Sequence, residues 1–180
     1  GELPRLKALY LLSYHSNPTG TTTTIAKKAS ALKLLRRFEK AAGHPIYLLE
    51  DAAYRELRFS GEDTPSALTM DRAGDRVIYT STYSKPFATG VRIGYGLLPE
   101  PLLTAALRVK GNHDFGTTNL LQQLITQALT SGAYEKHVQM LRKRYAKKAS
   151  VMVAAIQRHI PEDVKWAQPA GGLYVWARMP

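Results

Sequence analysis

Cysteine is absent from the 180 residues, which removes disulfides and thiolate metal sites from consideration without fixing a compartment. No stretch approaches the roughly 20 consecutive apolar residues that a membrane helix needs. The opening Gly1-Glu2-Leu3-Pro4-Arg5 has no apolar centre of the kind a secretion signal carries, so no targeting segment is read there. The five histidines, His15, His44, His113, His137 and His159, show no metal-ligand spacing. Acidic residues are also scarce: 14 against 25 basic ones, giving a net charge of +11. Such an excess raises nucleic acid as a partner. The basic residues, however, cluster in Lys27-Lys28 to Arg36-Arg37 and Arg142 to Lys148, where they alternate with alanine and leucine at helical spacing. Those stretches hold little aromatic material for base stacking, so they read as solvated helix faces. Acidic sequence outside these residues would also balance the charge.

The chain alternates short apolar runs with longer amphipathic patterns and has no internal repeat, the signature of an α/β architecture. Strands are expected at Leu6–Leu12, Ile46–Glu50, Val77–Ser81 and Ile93–Leu98. Helices are expected at Ile25–Ala42, closed by Gly43, and at Leu102–Val109, Asn119–Thr130 and Tyr134 to about His159. The last is long enough to be bent or broken. Gly111-Asn112-His113-Asp114-Phe115-Gly116 reads as a loop, and Gly171 to Trp176 as a strand in which Tyr174 and Trp176 alternate with Leu173 and Val175. Short buried strands between helices fit a mostly parallel sheet with helices on both faces. The change of character after Pro161 divides the chain into a larger unit, 1–160, and the beginning of a smaller one, 161–180. Both ends fall close to a strand, so the chain is expected to be the central part of a longer protein, with sheet edges and apolar surface left to be covered.

Three polar clusters follow three of the expected strands: Asn17-Pro18-Thr19-Gly20, Asp51-Ala52-Ala53-Tyr54, and Ser81-Thr82-Tyr83-Ser84-Lys85 continuing to Arg92. Open α/β sheets bind ligands beyond the carboxyl ends of their strands, and parallel strands would bring the clusters to one crevice. Lys85, held at a strand end, can lose part of its solvation, which favours the nucleophilic neutral amine. Arg92 offers a planar fork for phosphate, with the Thr82 and Ser84 hydroxyls beside it. Asp51 can pair with a protonated ring nitrogen, and Tyr54 and Asn17 can hydrogen-bond a phenolic oxygen. Amine, phosphate donors, carboxylate and phenolate partners together match pyridoxal 5'-phosphate (PLP).

The same clusters, in this order, resemble the class I and II aminotransferases among the fold-type I PLP enzymes. The resemblance runs along nearly the whole chain. It includes Gly74-Asp75-Arg76-Val77-Ile78-Tyr79, the specific segment Ser84-Lys85-Pro86-Phe87-Ala88-Thr89-Gly90-Val91-Arg92-Ile93-Gly94-Tyr95, and Pro169-Ala170-Gly171-Gly172-Leu173-Tyr174-Val175-Trp176. It implies that Lys85 carries the cofactor as a Schiff base and later moves the substrate's proton. Asp51 would keep the pyridine nitrogen protonated, with Tyr54 and Asn17 on the phenolic oxygen. Thr82, a serine in many relatives, would hold the phosphate with Ser84 and Arg92. It further implies amino acid and 2-oxo acid substrates and a homodimer with Gly111–Gly116 near its interface; with no targeting or membrane segment read, the cytoplasm is the expected compartment and no membrane partner is expected. Missing from these residues are a glycine-containing phosphate loop, an aromatic residue stacked on the ring, and an arginine for the substrate carboxylate. Two rivals share the scaffold: an aminotransferase-like domain of a transcription regulator, touching nucleic acid only through a preceding DNA-binding domain, and a PLP lyase.

Overall fold

The computed structural model describes residues 3–180. Helix α1, Ile25–Ala42, has the bounds its caps dictate. The Thr24 side chain accepts from the Lys27 N–H, and Gly43 leaves the helix at φ 75°, a left-handed conformation that glycine adopts without a Cβ clash. Its inward stripe, Leu32, Leu35 and Ala42, packs with Ile46, Leu48, Ala67 and Val77 in the main core.

That core covers one face of a four-stranded sheet ordered β1 (Ala8–Leu12), β2 (Tyr47–Asp51), β3 (Val77–Thr82) and β4 (Gly94–Leu97). Strands β1, β2 and β3 are parallel, and β4 runs antiparallel to β3. The reversal follows from chain length: the residues between Thr82 and Gly94 are too few for the crossover of a dozen or more that a parallel return needs. The buried side of β2 carries Leu48 and Glu50, while Tyr47, Leu49 and Asp51 face the half-open side. Asp71 fixes the start of β3 by accepting the N–H groups of Arg76 and Val77, both at 2.8 Å, and a guanidinium bond from Arg36.

Three further helices follow: α2 (Glu100–Asp114), α3 (Asn119–Thr130) and α4 (Ala133–His159). Helix α2 corrects the sequence reading at both ends, because it absorbs residues 111–114 of the expected loop. Its N-terminus starts at Pro99-Glu100-Pro101, where a missing N–H costs nothing, and its last turn is held by the Lys110–Asp114 pair at 2.5 Å. It stops where Phe115 and Gly116 turn to positive φ. Helix α4 is a single uninterrupted element, since no proline or glycine lies within it.

The strand expected at Gly171–Trp176 is not there. A two-residue strand β6 (Ala177–Arg178) pairs instead with β5 (Lys165–Trp166), and Gly171 makes only an isolated bridge to Arg58. The backbone here is committed elsewhere: Phe59 and Ser60 donate to the Ala170 carbonyl, and Gly172 donates to that of Leu57. Gly171 also lies so close on the His15 ring that a Cβ would collide with it.

Candidate active site

The register brings the sequence clusters level. Leu12 pairs with Asp51, and Asp51 pairs with Thr80, so β1, β2 and β3 end side by side. Beyond their ends the Ser13 N–H reaches the Asp51 carbonyl at 3.1 Å, and the Ala52 N–H reaches that of Thr80 at 2.8 Å. Loops leaving three parallel strands therefore start from one edge, the place where open α/β sheets take ligands.

Asp51 is half-buried, and both of its oxygens are engaged. Oδ1 accepts the Ala53 N–H at 2.9 Å, and Oδ2 accepts the Tyr10 hydroxyl at 2.7 Å. A carboxylate can accept about four hydrogen bonds, so each oxygen keeps capacity for another donor. Three residues on, Tyr54 is buried, with its ring edge-on to Tyr174 at 6.1 Å between centroids. Burial raises the Tyr54 phenol above its ordinary value and hydrogen bonding with Tyr174 adds to this, while hydrogen bonding with Asn17 works against it. Lys85 Nζ stands 5.9 Å from the centre of the Tyr54 ring. The exposed Asn17 sits on a loop tied by Ser16 N–H to Thr21 O at 2.9 Å and Thr23 N–H to Ser13 O at 2.9 Å.

The turn after β3 is built by Thr82. Its hydroxyl donates to the Ile93 carbonyl at 3.1 Å and accepts the Ser84 N–H at 3.1 Å. Its one proton is thus spent on folding the turn, while the buried Ser84 hydroxyl accepts a long bond of 3.4 Å from Arg92. Arg92 itself sits at φ 48°. Among the described residues neither Arg92 nor Lys85 has a carboxylate partner. Lys85 is exposed among the described residues.

Directly behind this edge lies a charged pair that the sequence did not reveal. Lys28 on α1 and Glu50 on β2 are fully buried and 2.8 Å apart. Lys28 also donates to the Pro65 carbonyl at 2.9 Å and lies 4.1 Å over the Tyr14 ring. Glu50 accepts from the Ser66 hydroxyl and the Ala67 N–H. Burial pushes the Glu50 carboxyl up, but the donors from Lys28 and Ser66 outweigh it and leave the group below its ordinary value. Tyr14, capped on another side by Arg55 at 4.9 Å, links the Asn17 loop to the Tyr54 loop. His15, also buried, is held below its ordinary value by burial and then by Arg58.

In the sequence Tyr174 reads as one residue of an alternating strand, and Tyr10 only as part of the first strand. A parallel pairing of β1 with β2 would have exposed the role of Tyr10, since it puts Leu12 against Asp51 and Tyr10 on the same face. For Tyr174 no sequence signal exists, because its approach to Tyr54 depends on the Gly171-Gly172 contact with His15.

The donor set is one that a phosphorylated pyridine aldehyde fits. A guanidinium and a hydroxyl without a counter-ion suit a phosphate, a free amine lies beside a phenol, and a carboxylate with spare acceptor capacity suits a protonated ring nitrogen. Residues 5–180 match the family described as aminotransferase class I and II. The chain belongs to that family. It is 32% identical over 177 residues to aromatic-amino-acid aminotransferase 1 of Thermococcus litoralis, covering 98% of this chain and 40% of that protein. An α-aminoadipate aminotransferase from Thermus thermophilus, solved in complex with N-(5'-phosphopyridoxyl)-L-leucine, superposes with a TM-score of 0.84 at 30% identity. That match covers 96% of this chain and 43% of the other. The HTH-type transcriptional regulator NorG of Staphylococcus aureus is 31% identical over 170 residues, 94% of this chain and 37% of that protein. The chain thus spans about two fifths of the length of the relatives it matches. The family likeness agrees with the α/β fold and the mostly parallel sheet read from the sequence. No helix among the described residues is long and apolar enough to cross a membrane.

Proposed function

We propose that this chain is the cofactor-binding part of a PLP-dependent aminotransferase, which moves an amino group between an amino acid and a 2-oxo acid. The observation that carries this reading is the common edge of β1, β2 and β3, from which the loops of Asn17, of Asp51 and Tyr54, and of Ser84 and Lys85 all leave. When bound, PLP supplies an electron sink for the pair of electrons left on the substrate's α carbon.

The protein's residues do the rest. Ser84 and Arg92 hold the phosphate, and Thr82 folds the turn that aims Ser84 at it. Asp51 accepts the proton-bearing ring nitrogen as a hydrogen-bond donor and so keeps that nitrogen charged. Tyr54 and Asn17 bond the ring's phenolic oxygen, and a Tyr54 phenol raised by burial stays a donor at neutral pH. The Lys85 amine would anchor the cofactor through its aldehyde carbon, and the same amine would hold the proton taken from the substrate's α carbon. Residues 1–160 form the PLP-binding unit and residues 161–180 begin a smaller domain. A cytoplasmic homodimer is the setting proposed, and the nearly fully exposed Phe115, 94% accessible, supports a partner at the end of α2.

The second reading is an effector domain of a transcription regulator, favoured by the likeness to NorG and by the charge of +11. It keeps the cofactor site and places nucleic-acid contact in a DNA-binding domain outside these residues. Half-reaction spectroscopy of the full chain across a panel of amino acids separates the two. Amino-group transfer to a 2-oxo acid, lost by at least a thousandfold in Lys85→Ala, is expected on loss of the anchoring and proton-carrying amine, an estimate at the scale of nucleophile removal. Cofactor binding without transfer on any substrate favours the regulator, and elimination products favour a lyase.

A further inference from the structure

We infer that Tyr10 is a positioning residue for Asp51, its hydroxyl holding the carboxylate in the orientation that meets a protonated ring nitrogen. This rests on the assignment of Asp51 to the cofactor's ring. Tyr10 lies on β1, two residues before the partner of Asp51 in the parallel register, so both side chains stand on the same half-open face of the sheet. The hydroxyl spans that offset and donates to Oδ2 at 2.7 Å, while the Ala53 N–H takes Oδ1 at 2.9 Å. With one donor on each oxygen, the carboxylate plane cannot swing about its side-chain torsions without breaking a charge-assisted bond. No lysine or arginine among the described residues pairs with Asp51, so these two neutral donors are what orient it.

Packing does not explain the tyrosine. The residue is 57% exposed among the described residues, and phenylalanine would serve a packing role as well. The phenol is pushed up to about 12, first by its bond to Asp51 and then by burial, which keeps it a donor across any working pH.

The test compares the wild-type full chain, Tyr10→Phe and Tyr10→Leu in equilibrium dialysis against two probes. One is PLP, and the other is its analogue with the ring nitrogen replaced by carbon, which gives Asp51 nothing to meet. Tyr10→Phe should weaken PLP roughly tenfold, the low end for a hydrogen bond to a charged group. Tyr10→Leu should be no worse, and neither variant should change the analogue's affinity. The circular dichroism of the bound cofactor's visible band should also fall in Tyr10→Phe, as the ring loses its fixed orientation. Equal weakening of both probes would make Tyr10 a structural residue and overturn the inference. So would unchanged PLP affinity in Tyr10→Phe, or a loss confined to Tyr10→Leu. A wild-type chain that takes up no PLP fails the site assignment itself, and the role of Tyr10 with it.

Discussion

Helices α1 and α2 are of similar length, 18 and 15 residues, yet they relate to the rest of the molecule in opposite ways. Helix α1 buries Lys28, Leu32, Leu35 and Ala42, and it is tied to the sheet through the Lys28–Glu50 pair and through Arg36 on Asp71. Helix α2 buries none of its residues, and Leu107 and Val109 are both more than half exposed. The folded position of α1 is therefore determined by contacts within the chain, and one of them, the Lys28–Glu50 pair, lies behind the edge from which the proposed cofactor loops leave. What holds α2 inside this chain is mainly its own backbone ladder and local pairs such as Lys110–Asp114. Among the described residues α1 is thus anchored through buried side chains, while α2 contributes none to the core.

The largest effect should come from breaking the buried pair. Lys28→Met leaves Glu50 charged and without its cation in a fully buried site, and should cost about 3–5 kcal/mol in urea unfolding. Adding Glu50→Leu should recover most of that loss, because a dry apolar pair is tolerated where a single buried charge is not. A single variant as stable as wild type would mean that α1 is held by apolar packing alone.

Next in size is one substitution made in both helices. Leu35→Ala on α1 should cost about 2–5 kcal/mol, whereas Leu107→Ala on α2 should stay within about 0.5 kcal/mol. Thermal unfolding of the two variants checks this directly, and equal losses would erase the contrast between the helices.

The smallest effect concerns pH. Because burial holds His15 below its ordinary value of about 6.5, the unfolded chain binds a proton near pH 6 that the folded chain resists. The stability from this residue is fully present above the unfolded value and is lost as pH falls below it, at a limiting slope of about 1.4 kcal/mol per pH unit. The carboxylates Glu50 and Asp71, held low in the fold, also lose their contributions on acidification, but only as pH falls below the ordinary carboxylate range. Melting temperatures from pH 8 to pH 5 should drop in the wild type and flatten in His15→Gln. A matching drop in the variant would assign the slope to another group.

Much of the fold was legible because its signals are local. Thr24 and Gly43 cap α1 at the residues that the periodicity indicates, and α3 runs from Asn119 to Thr130 as its spacing predicts. The strand ends lie within two residues of their apolar runs, so the seven residues nominated for the site fall on the loops beyond β1, β2 and β3 or at the strand ends themselves. What stayed hidden depends on contacts distant in sequence. The loss of the strand at Gly171–Trp176 follows from tertiary competition for backbone hydrogen bonds, whereas the antiparallel return of β4 follows from the short connection after β3. The Tyr10 contact needs the register of β1 on β2, and the Lys28–Glu50 pair needs the packing of α1 on the sheet. A lysine on an amphipathic helix looks solvated in sequence, since lysine is rarely buried without a partner, and the partner here is 22 residues away.

The most direct test of the site is reductive trapping. The full chain is incubated with PLP, reduced with borohydride, digested and mapped by mass spectrometry. The account predicts one phosphopyridoxyl label, on the peptide containing Lys85, reduced or lost in Asp51→Asn and Arg92→Ala. A label spread over surface lysines, or placed on another lysine with Lys85 unmodified, would contradict it.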